Sequence, residues 1–370
     1  MNPDWQTIRK NYPATENYTY FNTASCGLIS SSATDCNLHY QKLLSQQGSV
    51  YRDTLFDEMQ KVKAAAGEFI QAEAKDIALI PNFSSGINYI VPMLKSLGSV
   101  LLVENDYPSL TLPWQLHNYD VHWVPQSPQG AIELDRIAKA LRAKSIKILA
   151  ISWVQYMTGF KVVMEQLSQI CKENNTLLVV DATQALGAVP INLKDTHIDI
   201  FIGSCYKWTT AGFGNGLLYI HPDVVAQFET PVIGKGSTGL FDNVYQPDKM
   251  GLQARIFEVG HYNYGGFLVL KQALSELSQI GIQNIYDRLL ALTQYFKERL
   301  PNQYTLISGY DANQCTGIVA IKGGSNQLME VLKQEKIIIS ARGEGLRISM
   351  HFYNTFEEID HLLQVLGNNH

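Results

Sequence analysis

Apolar residues recur at intervals of three and four between Ser32 and Ala74, and at Ile77 the pattern changes into short apolar runs separated by amphipathic segments. The early spacing, with Leu55, Met59, Val62, Ala66 and Phe69 on one stripe, predicts two helices packed on a core. The later runs predict strands over Ile77–Pro81, Val100–Glu104, Val121–Val124, Ile146–Trp153 and Thr176–Asp181, with helical segments such as Leu134–Leu141 and Val162–Glu173 between them. Ile198–Ile220 reads as strand, turn, strand. This alternation is the mark of a parallel sheet wrapped by helices. Such sheets bind ligands beyond the carboxyl ends of their strands.

Beyond Gly265–Gly266 the pattern predicts helices over Phe267–Ile280 and Ile282–Leu300. A smaller sheet follows with Cys315–Ile321 and Ile337–Ser340, and a helix over Asn326–Gln334 between them. Thr355 and Glu358 have capping-box spacing at the head of the last helix, Thr355–Leu366. On a strand Leu346–Phe352, Leu346, Ile348 and Met350 share one face and Arg347, Ser349 and His351 the other. This is a small α+β unit; residues 1–15 are polar and partly helical.

The residues that follow the strands carry the chemistry. Ala24 lies in the small-residue run after Tyr20, where backbone N–H groups approach a ligand or the chain simply turns. Ser84 or Ser85 can cap the helix after the first strand, and an N-terminus with free N–H groups and hydroxyls also suits a phosphate. Tyr107 follows the second strand and can stack on a flat ring or merely pack. Tyr156 lies at the same edge. Asp181 follows four apolar residues, which is costly without a cationic partner such as a pyridinium N–H; capping a turn is its plainer use. Gln184 comes about one turn later. Lys207 stands between Tyr206 and Trp208, just after Ser204, with no carboxylate within several residues. Burial there lowers the ammonium pKa and makes the amine a nucleophile toward an aldehyde. Nucleophile, buried acid, stacking ring and anion site are together what pyridoxal 5′-phosphate requires. A fork-shaped guanidinium such as Arg347 suits a carboxylate, although a surface ion pair is the commoner use of an arginine. Arg342 is a weaker choice for a second anionic group.

The 370 residues, 46% of them hydrophobic, suffice for two domains and a large core, and a net charge of −5 without a basic run excludes nucleic-acid binding. Five scattered cysteines show no C-x-x-C spacing, which points to reduced thiols in the cytoplasm and to neither metal nor disulfide. No signal pattern opens the chain, and no apolar run approaches a membrane span.

From Tyr20 to about Leu366 the sequence resembles the class V aminotransferases of the fold-type I pyridoxal-phosphate enzymes, a group that includes cysteine desulfurases and isopenicillin N epimerase-like proteins. Asp181-Ala-Thr-Gln184-Ala-Leu-Gly-Ala-Val-Pro190, Ser204-Cys-Tyr-Lys207-Trp, Phe257-Glu-Val-Gly260-His261-Tyr-Asn263 and Leu346-Arg347-Ile-Ser-Met-His-Phe-Tyr353-Asn354-Thr355 carry the likeness. It implies an α/β fold: a large domain over residues 16–262 with a mostly parallel seven-stranded sheet between helices, and a small α+β domain from residues 1–15 and 263–370. It further implies that Lys207 is the Schiff-base lysine and proton shuttle, Asp181 holds the pyridine nitrogen, and Gln184 bonds O3′. Ser204, Phe83 and Ser84 would bind the phosphate, and Tyr107 would stack on the ring. Arg347, with Ala24 and Arg342, would meet the substrate. Gly260 and His261 match a segment that reaches the phosphate from the other subunit of a homodimer. Tyr107, Tyr206, Tyr156 and His261 stand where many members have histidine, histidine, asparagine and threonine.

Transamination between an amino acid and a 2-oxo acid is the first expectation. Elimination, epimerisation and racemisation use the same residues. Desulfuration is disfavoured, because Arg342 runs to Arg347 through Gly343-Glu344-Gly345-Leu346 with neither a cysteine nor room for a loop. A nicotinamide dehydrogenase is disfavoured because Gly212-Phe-Gly214-Asn-Gly216 is not G-x-G-x-x-G. A non-catalytic cofactor-binding scaffold is the remaining alternative.

Overall fold

The computed structural model of the chain describes residues 3–228, 232–238 and 253–368. Seven strands form the central sheet: β1 (Ile77–Ile80), β2 (Ser99–Val103), β3 (Asp120–Val124), β4 (Ile148–Ser152), β5 (Leu177–Asp181), β6 (Ile200–Ser204) and β7 (Gly216–Ile220). Their order is β1-β7-β6-β5-β4-β2-β3. Only β7 is reversed, antiparallel to both β1 and β6; the other neighbours are parallel. Alternate strand residues enter two cores. Leu79, Leu101, Leu149, Val180, Phe201 and Leu217 face one, and Ile80, Leu102, Ile148, Val179, Ile202 and Leu218 face the other. With helices on both faces the strand interiors are apolar, which is why the runs read as continuous; the exception is the edge strand β3 with its His122.

The two early helices are Ser31–Gln47 and Ser49–Ile70, split at Gly48, whose φ of +55° suits glycine. A second sheet pairs Ser340–Arg342, Gly345–Ser349, Ile318–Lys322 and Thr305–Leu306 in that order, all antiparallel. Leu346, Ile348 and Met350 fill its core. Thr19–Tyr20 pairs in parallel with Ile337–Ile338 as a separate two-stranded sheet, tying the N-terminal segment to the chain just before Ser340.

Several strands are shorter than the pattern predicts: Ile146–Trp153 is only Ile148–Ser152, Ile337–Ser340 divides between Ile337–Ile338 and Ser340–Arg342, and two more in the small sheet are cut back. Cys315–Ile321 begins at Ile318, because the preceding residues are engaged by the Val154–Lys161 loop: Lys161 N donates to Gln314 O at 2.9 Å and Thr316 Oγ1 to Gly159 O at 3.0 Å. Leu346–Phe352 ends at Ser349, because His351 N turns to Asn354 Oδ1 at 2.8 Å. The capping box forms reciprocally, with Thr355 N on Glu358 Oε2 at 3.0 Å and Glu358 N on Thr355 Oγ1 at 3.2 Å. Among the described residues no helix is long and apolar enough to cross a membrane.

Candidate active site

Lys207 sits in the turn from β6 to β7. Ser204 pairs with Gly216, and Cys205 N donates to Asn215 O at 3.1 Å, so both ends of the turn are pinned. Gly27 N donates to Tyr206 O at 2.9 Å, and a Cβ on Gly27 would lie 1.8 Å from Lys207 O, so only glycine allows this approach. The lysine is 7% exposed. Its Nζ lies 5.4 Å from the ring centre of Tyr206 and 5.8 Å from that of Tyr107. It forms no ion pair among the described residues. Burial pushes its pKa down to about 8; Asp181 opposes this, while Arg347 and Arg342 add to it. A neutral amine is thus within reach at mildly alkaline pH.

Asp181 ends β5 and is buried. Its Oδ1 accepts from Thr183 N at 2.8 Å. Burial raises its pKa, against the pull of Thr183 and Lys207. Gln184 has a fixed amide. Trp208 Nε1, a donor only, meets Oε1 at 2.7 Å, and Nε2 donates to Ala24 O at 3.0 Å. One N–H of Gln184 remains for a ligand.

The anion site lies at the head of the helix Phe83–Met93. Its cap is Asn82, whose Oδ1 accepts from Ser85 N at 2.9 Å, not Ser84 or Ser85 as the sequence suggested. Asparagine ranks with the best caps, and its use moves both serines into the first turn. Phe83 N donates to Ser204 Oγ at 2.8 Å, and Ser84 Oγ to Ser109 Oγ at 3.0 Å. Three hydroxyls therefore gather at a positive helix end.

These groups line one cavity of about 380 Å³, which takes in Phe83, Ser84, Tyr107, Tyr156, Asp181, Gln184, Ser204, Tyr206 and Lys207. The rings of Tyr107 and Tyr156 meet edge to face at 5.4 Å.

Arg347 is 2% exposed and has no carboxylate partner among the described residues. It donates from Nη1 to Tyr156 O and from Nη2 to Ser25 Oγ, both at 2.6 Å, and its Nε has no partner. Burial and the Arg342 charge push its pKa down to about 10. Arg342 itself is exposed. Ala24 does not line the cavity, and its N–H is spent on Ser349 Oγ at 3.0 Å rather than held toward a ligand. Gly260 and His261 are exposed and lie apart from the cavity of their own chain. Glu258 anchors their segment: it is buried against Lys63, with Oε1 to Nζ at 2.8 Å, and accepts from Leu79 N at 2.8 Å.

The family model "Aminotransferase class-V" matches residues 33–362. The chain belongs to the class V aminotransferase family. The class V chain is 23% identical over 370 residues to the uncharacterized aminotransferase YcbU of Bacillus subtilis, covering 98% of this chain and 97% of the relative. It is 24% identical over 400 residues to a probable cysteine desulfurase of Pyrococcus abyssi, covering 98% and 96%. Its fold matches an apo cysteine desulfurase from Thermococcus onnurineus with a TM-score of 0.87, at 21% identity over 100% and 98% of the two chains. It also matches a lysine mutant of C-DES with glycine covalently linked to its PLP cofactor, with a TM-score of 0.91, at 19% identity over the full length of both.

The family's cofactor is pyridoxal 5′-phosphate, and the residues of this class V chain fit it. A buried amine without an ion pair, a buried carboxylate and a cradle of hydroxyls on a helix end stand around one cavity.

Three contributors escape a reading by motif. Asp106 is buried and accepts from Tyr107 N at 2.7 Å and from Ser152 N and Oγ at 3.0 and 2.6 Å, which fixes the Tyr107 backbone. An acid three residues past the end of an apolar strand was its only signal. Trp208 sets the Gln184 amide across 24 residues, and Ser109 completes the hydroxyl cluster across 25. Neither pairing has a local signature.

Proposed function

We propose that this chain is a pyridoxal-phosphate-dependent aminotransferase, moving an amino group from an amino acid to a 2-oxo acid. Lys207 would hold the cofactor's aldehyde carbon, Asp181 its ring nitrogen, Gln184 Nε2 its O3′, and Ser84, Ser204 and the Phe83 helix end its phosphate. When bound, the cofactor supplies an electron sink that makes the α proton of an amino acid acidic. Arg347 holds the substrate carboxylate. Lys207 Nζ would act as the base that takes the α proton of the bound amino acid and gives it back on the far side of the amino nitrogen. Tyr107, which lines the cavity, would cover the ring and exclude water.

One observation carries this reading. The strands Ser340–Arg342 and Gly345–Ser349 join through Gly343-Glu344 alone, so the element that presents Arg347 has no thiol to receive sulfur. An amino acid held there meets an amine base, and the hairpin that carries Arg347 offers no acceptor thiol. The exposure of Gly260 and His261 away from their own cavity supports a homodimer in which they close the other subunit's site, and the free cysteines support a cytoplasmic setting.

The test is the visible absorption spectrum of the cofactor-loaded protein against a panel of amino acids. Transamination removes the band with one amino acid and restores it with a 2-oxo acid. A cystine C–S lyase, C-DES, shares the fold over nearly the whole chain and gives the second reading, β-elimination. Ammonia release without any oxo acid would select that reading over the first.

A further inference from the structure

The glycine run between β6 and β7 has no part in seating the cofactor. Gly212 has a φ of +68° and Gly214 of +84°, so both neighbours of Phe213 lie in the region that favours glycine. Asn263 Nδ2 donates to Gly214 O at 3.1 Å, and a Cβ on Gly214 would lie 2.6 Å from that nitrogen. A Cβ on Gly212 would lie 3.0 Å from Ile29 Cδ1. This fixed turn holds the Phe213 ring at the mouth of the cavity, where it is 68% exposed and lines the opening beside Tyr206. The two rings stack, with centres 4.8 Å apart and planes 23° from parallel. The Tyr206 ring centre lies 5.4 Å from Lys207 Nζ. Lys207, Tyr206 and Phe213 thus mark a path from the buried amine to solvent, aromatic along its length. Tyr107 and Tyr156 add two further rings to the lining. Among the described residues the charged groups on that lining are Asp181 and Lys207, and both belong to the cofactor's seat.

We propose that the substrate is an amino acid with an aromatic side chain, that this side chain seats on the Tyr206–Phe213 stack, and that Phe213 sets the preference. This rests on the reading of the cavity as an amino-acid site. The α carbon of such a substrate stands within proton-transfer reach of Lys207 Nζ. A methyl side chain stays beside the lysine. A ring extends along Tyr206 to Phe213 and takes apolar area of both out of water. A charged side chain gives up its hydration to a lining that offers no free counter-charge.

The test titrates the visible band of the loaded enzyme with L-phenylalanine, L-alanine and L-glutamate, in the wild type, in Phe213→Ser and in Phe213→Tyr. Phe213 is exposed and its flanking glycines are kept, so both variants fold. L-Phenylalanine binds roughly tenfold or more tighter than either of the others. Phe213→Ser cuts that ratio about fivefold or more, and Phe213→Tyr, which keeps the ring, preserves it. Cofactor retention on dilution and oligomeric state by light scattering match the wild type in both variants. No preference for L-phenylalanine in the wild type, or a preference that survives Phe213→Ser, overturns the proposal and leaves the amino-acid reading intact. So does a loss shared equally by all three amino acids with a changed oligomeric state, which would make the ring a contact for a second copy of the chain. A band that no amino acid perturbs overturns both.

Discussion

Arg347→Met separates the stability of this protein from its function. A guanidinium that is 2% exposed and faces no carboxylate among the described residues carries a desolvation penalty. The fall of its pKa from 12.5 to about 10 sets that penalty at about 3 kcal/mol. A basic group depressed in the folded state loses stability as pH falls through its folded pKa, so at every pH below about 10 the penalty is present in full. Methionine removes it. Methionine also removes the bonds to Tyr156 O and Ser25 Oγ, worth about 1–2 kcal/mol each. The terms nearly cancel, and the cofactor-free variant should unfold in denaturant within about 1 kcal/mol of wild type. Removing one partner of a buried ion pair would instead cost about 3–5 kcal/mol. Amino-acid affinity of the loaded enzyme should fall roughly a hundredfold, the worth of two charge-assisted hydrogen bonds. A destabilisation above about 2 kcal/mol would refute the reasoning, because Arg347 would then be satisfied within the protein and not waiting for a ligand.

The rate at which cofactor-free protein captures pyridoxal phosphate should rise through a midpoint near pH 8, where Lys207 becomes neutral, and not near the ordinary lysine value. Asp181→Asn should move that midpoint down, since the Asp181 charge holds the lysine proton; an upward move would contradict the assignment. Trp208→Phe strips the donor from Gln184 Oε1, and a loss of about 1–3 kcal/mol in unfolding free energy, with weaker cofactor retention, is expected. His351 is fully buried, its Nε2 on Trp208 O at 2.8 Å, and burial pushes its pKa down to about 3. A basic group so depressed gives stability above its unfolded pKa that is lost as pH falls. His351→Leu should therefore flatten the acid limb of a stability profile between pH 6.5 and 3, and an unchanged limb would show that other groups govern it.

The large sheet was legible because a strand buried on both faces writes its full length into the sequence: Leu177 to Asp181 and Ile200 to Ser204 are continuous apolar runs closed by one polar residue. Lys207 and Asp181 stood out for the same reason, as charges placed where apolar residues surround them. The helix cap was misjudged because Asn82, Ser84 and Ser85 are all good caps, and only the three-residue reach from Asn82 Oδ1 to Ser85 N decides among them. The engagement of Ala24 was hidden because its partners, Gln184 and Ser349, lie 160 and 325 residues away. Strand ends in the small sheet were overrun because Cys315 and Phe352 are apolar and yet belong to turns, where side-chain hydrogen bonds and not hydrophobicity end the ladder.

The placement of β7 between β1 and β6 bears on the order in which the molecule assembles. Lys207 is held by a hairpin whose ends, Ser204 and Gly216, are near neighbours in the chain, and the sheet is complete once Ile220 has left the ribosome. The grip of Arg347 closes contacts that span 191 and 322 residues. Short loops close with less entropy lost than long ones, and synthesis delivers the N-terminal part first. The nascent protein therefore holds the turn that carries Lys207 before Arg347 has been translated.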